Sequence, residues 1–211
     1  LHYPLRRQRQ MCIRDRYGEK TYQRLQQFSR EQGLDLDATV FYDGVQLPSL
    51  NAIASDCIQR TTHLPTIPAV LHGDFCLSNV LFDSRAAQIK VIDPRGISNG
   101  GSAMFSGDQK YDIAKLSHSI IGLYDYIIAG RYQIIAPKTQ NSRIDFILDE
   151  RIRSIQQQFN DTAWHNDLRT VEILPLTVLL FLSMLPLHSD RTDRQQAMLL
   201  NALRLYSTLS A

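Results

Sequence analysis

In this chain of 211 residues, Asp74, Asn79 and Asp93 are the side chains whose types and spacing suit a shared chemistry. Asn79 stands immediately before a short apolar run, Val80 to Phe82, and Asp93 immediately after a second, Ile89 to Ile92. The DSRAAQ stretch between the runs is rich in turn formers, so they read as an antiparallel hairpin with Asn79 and Asp93 at its open end. Paired residues on neighbouring strands lie about 5 Å apart. An amide oxygen and a carboxylate at that distance can share a hard divalent cation, and Mg²⁺ commonly takes one or two protein oxygens while phosphates complete its octahedron. Asp74, five residues before Asn79, lies on the loop leading into the hairpin and can face the same point. A carboxylate beside a metal-bound phosphate is placed to accept or orient the proton of an attacking hydroxyl. Positioning and charge stabilisation dominate such chemistry.

The elements that must position these groups can be read on either side. A helix is expected over Thr21–Arg30, where Tyr22, Leu25 and Phe28 recur at helical spacing and Gly33 is a stop signal. Ala38 to Tyr42 has strand composition and is followed by a turn at Asp43-Gly44. After Pro48 a second helix takes Ser49 as N-cap and places Leu50, Ile53, Ala54, Cys57 and Ile58 on one face. Pro65 and Pro68 end any helix before the central segment. Downstream, Asn99-Gly100-Gly101-Ser102 is expected to open a flexible loop. A strong helix is expected over Tyr111–Tyr126, and others over Ile144–Phe159, Val171–Leu185 and Arg194–Leu209. The longest apolar stretch, Leu174 to Leu187, holds 14 residues with Pro175 and Pro186. It falls short of the roughly 20 residues that span a bilayer and reads as a buried core helix. The expected fold is α+β, a mainly helical body with one small β-ribbon in its middle.

His72-Gly73-Asp74-Phe75-Cys76-Leu77-Ser78-Asn79, followed by Ile92-Asp93, resembles the catalytic loop and metal-binding Asp of the aminoglycoside phosphotransferase and choline kinase superfamily. These are small-molecule kinases on the protein-kinase fold, and the D-x-x-x-x-N spacing equals that of the protein-kinase catalytic loop. The resemblance implies that Asp74 is the catalytic base, that Asn79 and Asp93 bind Mg²⁺ at the ATP phosphates, and that His72 and Gly73 shape the loop. It implies too that Asp112, in Lys110-Tyr111-Asp112-Ile113-Ala114, braces the loop from the start of the next helix. Gly73 stands where protein kinases carry the Arg that reads activation-loop phosphate. Pro94 follows the metal Asp and argues against a segment that flips between two states. Arg95 is available to neutralise phosphate charge, to close a turn or to pair with a carboxylate. The wording IDPRG, with GDQKYDIAKLSHS soon after, is similar to a bacterial branch associated with sugar and surface-polysaccharide metabolism. No G-x-G-x-x-G occurs, and Lys20, the first lysine, stands in a helical context. The resemblance therefore covers residues 17–211 as a kinase-like carboxyl-terminal lobe, with the nucleotide-holding amino-terminal lobe absent.

Composition sets the remaining bounds. The chain has 23 Lys and Arg against 21 Asp and Glu, a formal charge of +2, too small to point to nucleic acid or an anionic membrane. Five arginines and one acid fall in residues 1–16, and without them 18 basic residues face 20 acidic ones. That tail lacks any apolar pattern, its MCIRDR resembles translated adapter sequence, and it reads as non-native or disordered, with the natural sequence entered near Tyr17. Cys12, Cys57 and Cys76 have no metal-ligand spacing and no signal-peptide pattern precedes them, so a reduced cytoplasmic setting is expected. The acceptor is expected to be a small hydroxyl compound. Eight acids against seven arginines in residues 143–211 give no concentrated negative field for a polycationic aminoglycoside, and a neutral sugar fits better. Tyr124, Tyr126 and Trp164 could supply an aromatic cage for a choline-like cation. An inactive kinase-like binding lobe and a metal-dependent phosphohydrolase are the readings from other classes, and phosphohydrolases usually carry a denser cluster around two metals.

Overall fold

The most apolar stretch of the chain organises the rest. The computed structural model describes residues 14–95, 97–99, 102–104 and 106–209, an α+β protein whose helices carry the core. In chain order the helices are α1 (Lys20–Gln32), α2 (Leu50–Thr62), α3 (Lys110–Ile120), α4 (Tyr124–Ile128), α5 (Glu150–Asp161), α6 (Thr170–Met184) and α7 (Thr192–Leu209). Every residue of α6 from Ile173 to Ser183 is buried. A helix that is apolar all round is stable only when enclosed, and α1, α2, α3, α5 and α7 pack about it. By length and composition Thr170–His188 could cross a bilayer, yet most of that stretch is buried within the protein. The flanking helices bury the faces their spacing marks. Leu25 and Phe28 of α1 and Leu50, Ile53, Ala54 and Cys57 of α2 face inward. Gly33 ends α1 in the left-handed region at φ 65°, and the Ser49 hydroxyl caps α2 by accepting from the Ala52 N–H at 3.2 Å.

The strands are β1 (Thr39–Tyr42), β2 (Val45–Ser49), β3 (Pro68–Val70), β4 (Val80–Asp83), β5 (Gln88–Val91), β6 (Ile97–Asn99), β7 (Ser102–Met104), β8 (Ser106–Asp108), β9 (Gln133–Ile135) and β10 (Arg143–Asp145). They pair antiparallel, two by two, as β1 with β2, β3 with β8, β4 with β5, β6 with β7, and β9 with β10. The single ribbon expected from the sequence is thus one of five among the described residues. In the ribbon β4–β5, Val80 is opposite Val91 and Asp83 opposite Gln88, the register that puts Asn79 and Asp93 at the open end.

Three sequence expectations require correction. The helix over Tyr111–Tyr126 is broken between α3 and α4. A Cβ on Gly122 would lie 2.5 Å from Phe181 Cε2 and 2.6 Å from the His118 carbonyl oxygen, so only glycine fits against α6 there. Leu123 then turns the chain at φ 54°, and Asn201 and Arg204 of α7 donate to the freed Gly122 and Ile121 carbonyls. Ile144–Phe159 is likewise not one helix. Ile144 pairs with Ile134 across β9–β10, and α5 starts only where the Asp149 carboxylate accepts from the Ile152 N–H at 3.0 Å. At the expected loop, Gly100 and Gly101 lie outside the described residues, while Asn99 and Ser102 end paired strands. Residues 1–13, with Cys12 and most of the basic tail, also lie outside the described residues, whereas Arg14–Glu19 forms a helical turn leading into α1.

Candidate active site

The loop from Leu71 to Asn79, between β3 and β4, has little regular structure, and α3 fixes it at three points. At the first turn of α3, Asp112 accepts from the backbone N–H of His72 at 2.7 Å and of Gly73 at 2.9 Å. One turn on, Lys115 Nζ lies 3.0 Å from Asp74 Oδ1. A further turn on, the Ser119 hydroxyl accepts from the Leu77 N–H at 3.1 Å. Positions i, i+3 and i+7 share one face of a helix, so a single polar stripe holds two loop amides, the Asp74 carboxylate and the loop's far end. Gly73 passes the stripe at φ 82°, a conformation costly for any residue with a Cβ.

His72 ties the loop to the end of β5. Its Nδ1 accepts from the Asp74 N–H at 3.3 Å, which leaves the proton on Nε2 to be donated to the Ile92 carbonyl at 2.9 Å. Asn79 closes the loop from the other side. Its Nδ2 donates to the Asp74 carbonyl at 2.9 Å, and its own carbonyl accepts from the Ile92 N–H at 3.0 Å. Asp93 follows at φ 58°, with its side chain 68% exposed against 14% for Asp74. Arg95 closes the turn: its N–H donates to the His72 carbonyl at 2.9 Å, and its Nε lies 3.3 Å from Asp74 Oδ2. The same guanidinium reaches Asp93 Oδ2 at 4.0 Å. Asp74, Asn79 and Asp93 therefore meet at one end of the ribbon, and two cations face the two oxygens of Asp74.

The donor set suits a hard cation. The nitrogen end of the Asn79 amide is spent on the loop, so its oxygen is the end left for a metal, and Asp93 offers an exposed carboxylate. Two hard oxygens match the protein's share of a Mg²⁺ site that phosphates complete. Among the described residues no group of three or more His, Cys, Asp or Glu is placed to hold a metal. Behind the loop, Tyr124 stacks on buried His118 at 4.5 Å between ring centres, and His118 stacks on Phe181 at 4.1 Å. Burial pushes the Tyr124 hydroxyl up, and Asp125, Cys76 and Asp74 add to the shift. Cys76, buried and unpaired, has its Sγ 3.1 Å from Ser78 Oγ. No ring contact among the described residues joins Tyr124 to Trp164, which packs on Phe159.

Sequence reasoning missed Lys115 and Ser119. The signal was present, since both lie on the helix face of Asp112, but a lysine and a serine among apolar neighbours carry no motif. Searches of protein-family models, of curated proteins and of solved structures find no match to the chain. The functional reading accordingly rests on the loop and its geometry.

Proposed function

We propose that the chain is the catalytic lobe of an ATP- and Mg²⁺-dependent kinase that phosphorylates a hydroxyl group of a small, sugar-like acceptor. The observation that carries this reading is the loop itself. Asp112 grips the amides of His72 and Gly73, so Asp74 is presented at a fixed point beside Asn79 and Asp93. Asp74 would orient the acceptor hydroxyl and take its proton, and Asn79 and Asp93 would hold the metal. Mg²⁺ bound there would neutralise phosphate charge. Lys115 and Arg95 keep the Asp74 carboxylate in place and offset its charge near an anionic phosphate.

The ribbon gives a second line of support. Leu81, Phe82, Ile89 and Val91 are 49–70% exposed, and a nucleotide-holding lobe resting on β4–β5 would cover them. On this reading a nucleotide-holding lobe completes the site, and the test, in a protein that carries both lobes, follows ADP and free phosphate separately with and without a sugar acceptor. Acceptor-dependent ADP without phosphate release is expected. Asp74→Asn and Asp93→Ala should each abolish turnover while leaving the circular dichroism spectrum unchanged, and near-normal turnover in either variant would overturn the assignment.

A further inference from the structure

A second site lies at the broken end of α3 and uses none of the residues of the Asp74 loop. Arg204, on α7, projects across the α3–α4 break. Its Nε donates to Asn201 Oδ1 at 2.8 Å, one terminal nitrogen donates to the Ile121 carbonyl at 3.1 Å, and the guanidinium carbon lies 5.5 Å from the centre of the Phe146 ring. All of these partners are neutral. Arg204 is half-buried, and among the described residues no carboxylate forms an ion pair with it. Burial pushes its pKa down, the direction expected of a poorly solvated cation. A guanidinium carries five N–H groups, and the two hydrogen bonds to protein leave the other terminal nitrogen to serve something else.

Arg204 lines a cavity of about 480 Å³. Arg204, Gln133 and Gln156 provide the polar lining, and Leu123, Phe146 and Leu148 are among its apolar walls. Gln156 Nε2 donates to the Ile120 carbonyl at 2.8 Å and is fixed in place by it. The one carboxylate in the lining, Asp145, is already engaged by Arg143 at 3.2 Å. The lining therefore holds one cation, Arg204, and one carboxylate, Asp145, which is turned to an Arg143 that it shares with Asp43. Ile147, 94% exposed, is also part of the lining and stands at the open side.

We propose that this pocket binds a small organic carboxylate, with its anionic head on Arg204 and its apolar body against Phe146, Leu123 and Leu148. A singly charged head matches the single guanidinium, and planar bidentate pairing is the geometry arginine prefers with carboxylates. The cavity is bounded by the α3–α4 break, by β10 and by α7, so a ligand there would touch all three.

The proposal is tested on the full 211-residue chain by calorimetric titration with benzoate, with benzamide as its neutral counterpart and with inorganic phosphate as a head group lacking an apolar body. Benzoate should bind, and benzamide and phosphate each about tenfold or more weaker, the ratio expected when a charged hydrogen bond or an apolar contact is lost. Arg204→Gln should lower benzoate affinity by a similar factor. Since Arg204 also caps α3, Ile147→Glu is the companion variant. It alters only an exposed side chain and should weaken benzoate several-fold while leaving benzamide unchanged. Equal binding of benzoate and benzamide, or benzoate binding unaltered in both variants, would overturn the proposal. So would the absence of benzoate binding to the unaltered chain, which would make Arg204 a helix cap only.

Discussion

Helix α6 and the β4–β5 ribbon are built from the same kinds of residue and meet opposite fates. Ile173, Leu176, Val178, Phe181 and Leu182 on α6 are fully buried, whereas Phe82 and Ile89 on the ribbon are 68% and 70% exposed. The helix is wrapped by five others. Among the described residues the ribbon pairs only with itself, and an isolated two-stranded ribbon buries little on either face. Apolar character thus marks a closed core in one place and an exposed surface in the other. The site lies at the seam between them, with Asp112, Lys115 and Ser119 on the side of the core and Asn79 and Asp93 at the end of the ribbon.

That contrast can be broken most forcefully from inside. Phe181→Ala should cost about 3–5 kcal/mol in urea unfolding, as the loss of a fully buried aromatic does. A cost below about 1 kcal/mol would deny α6 its central role. Lys110→Met should cost about 3 kcal/mol, because Lys110, 1% exposed, lies 2.6 Å from Asp108 Oδ2 and its removal leaves a buried carboxylate unpaired. Asp112→Ala removes two charge-assisted hydrogen bonds at the seam and should cost about 2–3 kcal/mol. On the proposed kinase reading it should also lower turnover, a loss that Asp112→Glu should not restore, because the longer side chain shifts the two-amide grip.

A smaller effect follows from His118. Burial, then the Lys115 and His188 charges, hold its pKa well below the ordinary 6.5. The unfolded chain therefore takes up a proton below about pH 6.5 that the folded chain refuses, so this stability is present at neutral pH and lost on acidification. Unfolding curves should show the loss between about pH 7 and pH 5, and His118→Phe should flatten it. Smallest of all, Phe82→Ser with Ile89→Ser should change stability by less than about 0.5 kcal/mol each, since neither side chain is covered. A loss like that of Phe181→Ala would mean that the ribbon is part of the core.

How legible these regions were in the sequence depended on how local their causes are. The open end of β4–β5 could be read because Asn79, two short apolar runs and Asp93 occupy one continuous segment whose register follows from its turn. The turn at Asp43-Gly44 could be read for the same reason, as both residues take positive φ. The break at Gly122 could not, because its cause is Phe181, remote in sequence and seated against the glycine. Ile144 was misassigned because a strand of three residues leaves no periodicity of its own, and its partner Ile134 lies beyond a long loop. Lys115 was hidden because a lysine on a helix is ordinarily solvated, and only the folded loop brings Asp74 within 3.0 Å of it.

The grip of Asp112 on two loop amides has a consequence for motion as well as for position. Amide protons in irregular segments usually exchange quickly with solvent, because local opening costs little. The His72 and Gly73 amides can open only when Asp112 releases them, and Asp112 sits on a helix packed against the centre of the protein. In deuterium exchange these two positions should follow the slow kinetics of α3 and α6, while the Arg85 and Ala86 amides, held by Asp83 on an exposed turn, should exchange far faster. A stretch without regular secondary structure would then share the opening free energy of the helical core, and Asp74 would inherit that rigidity.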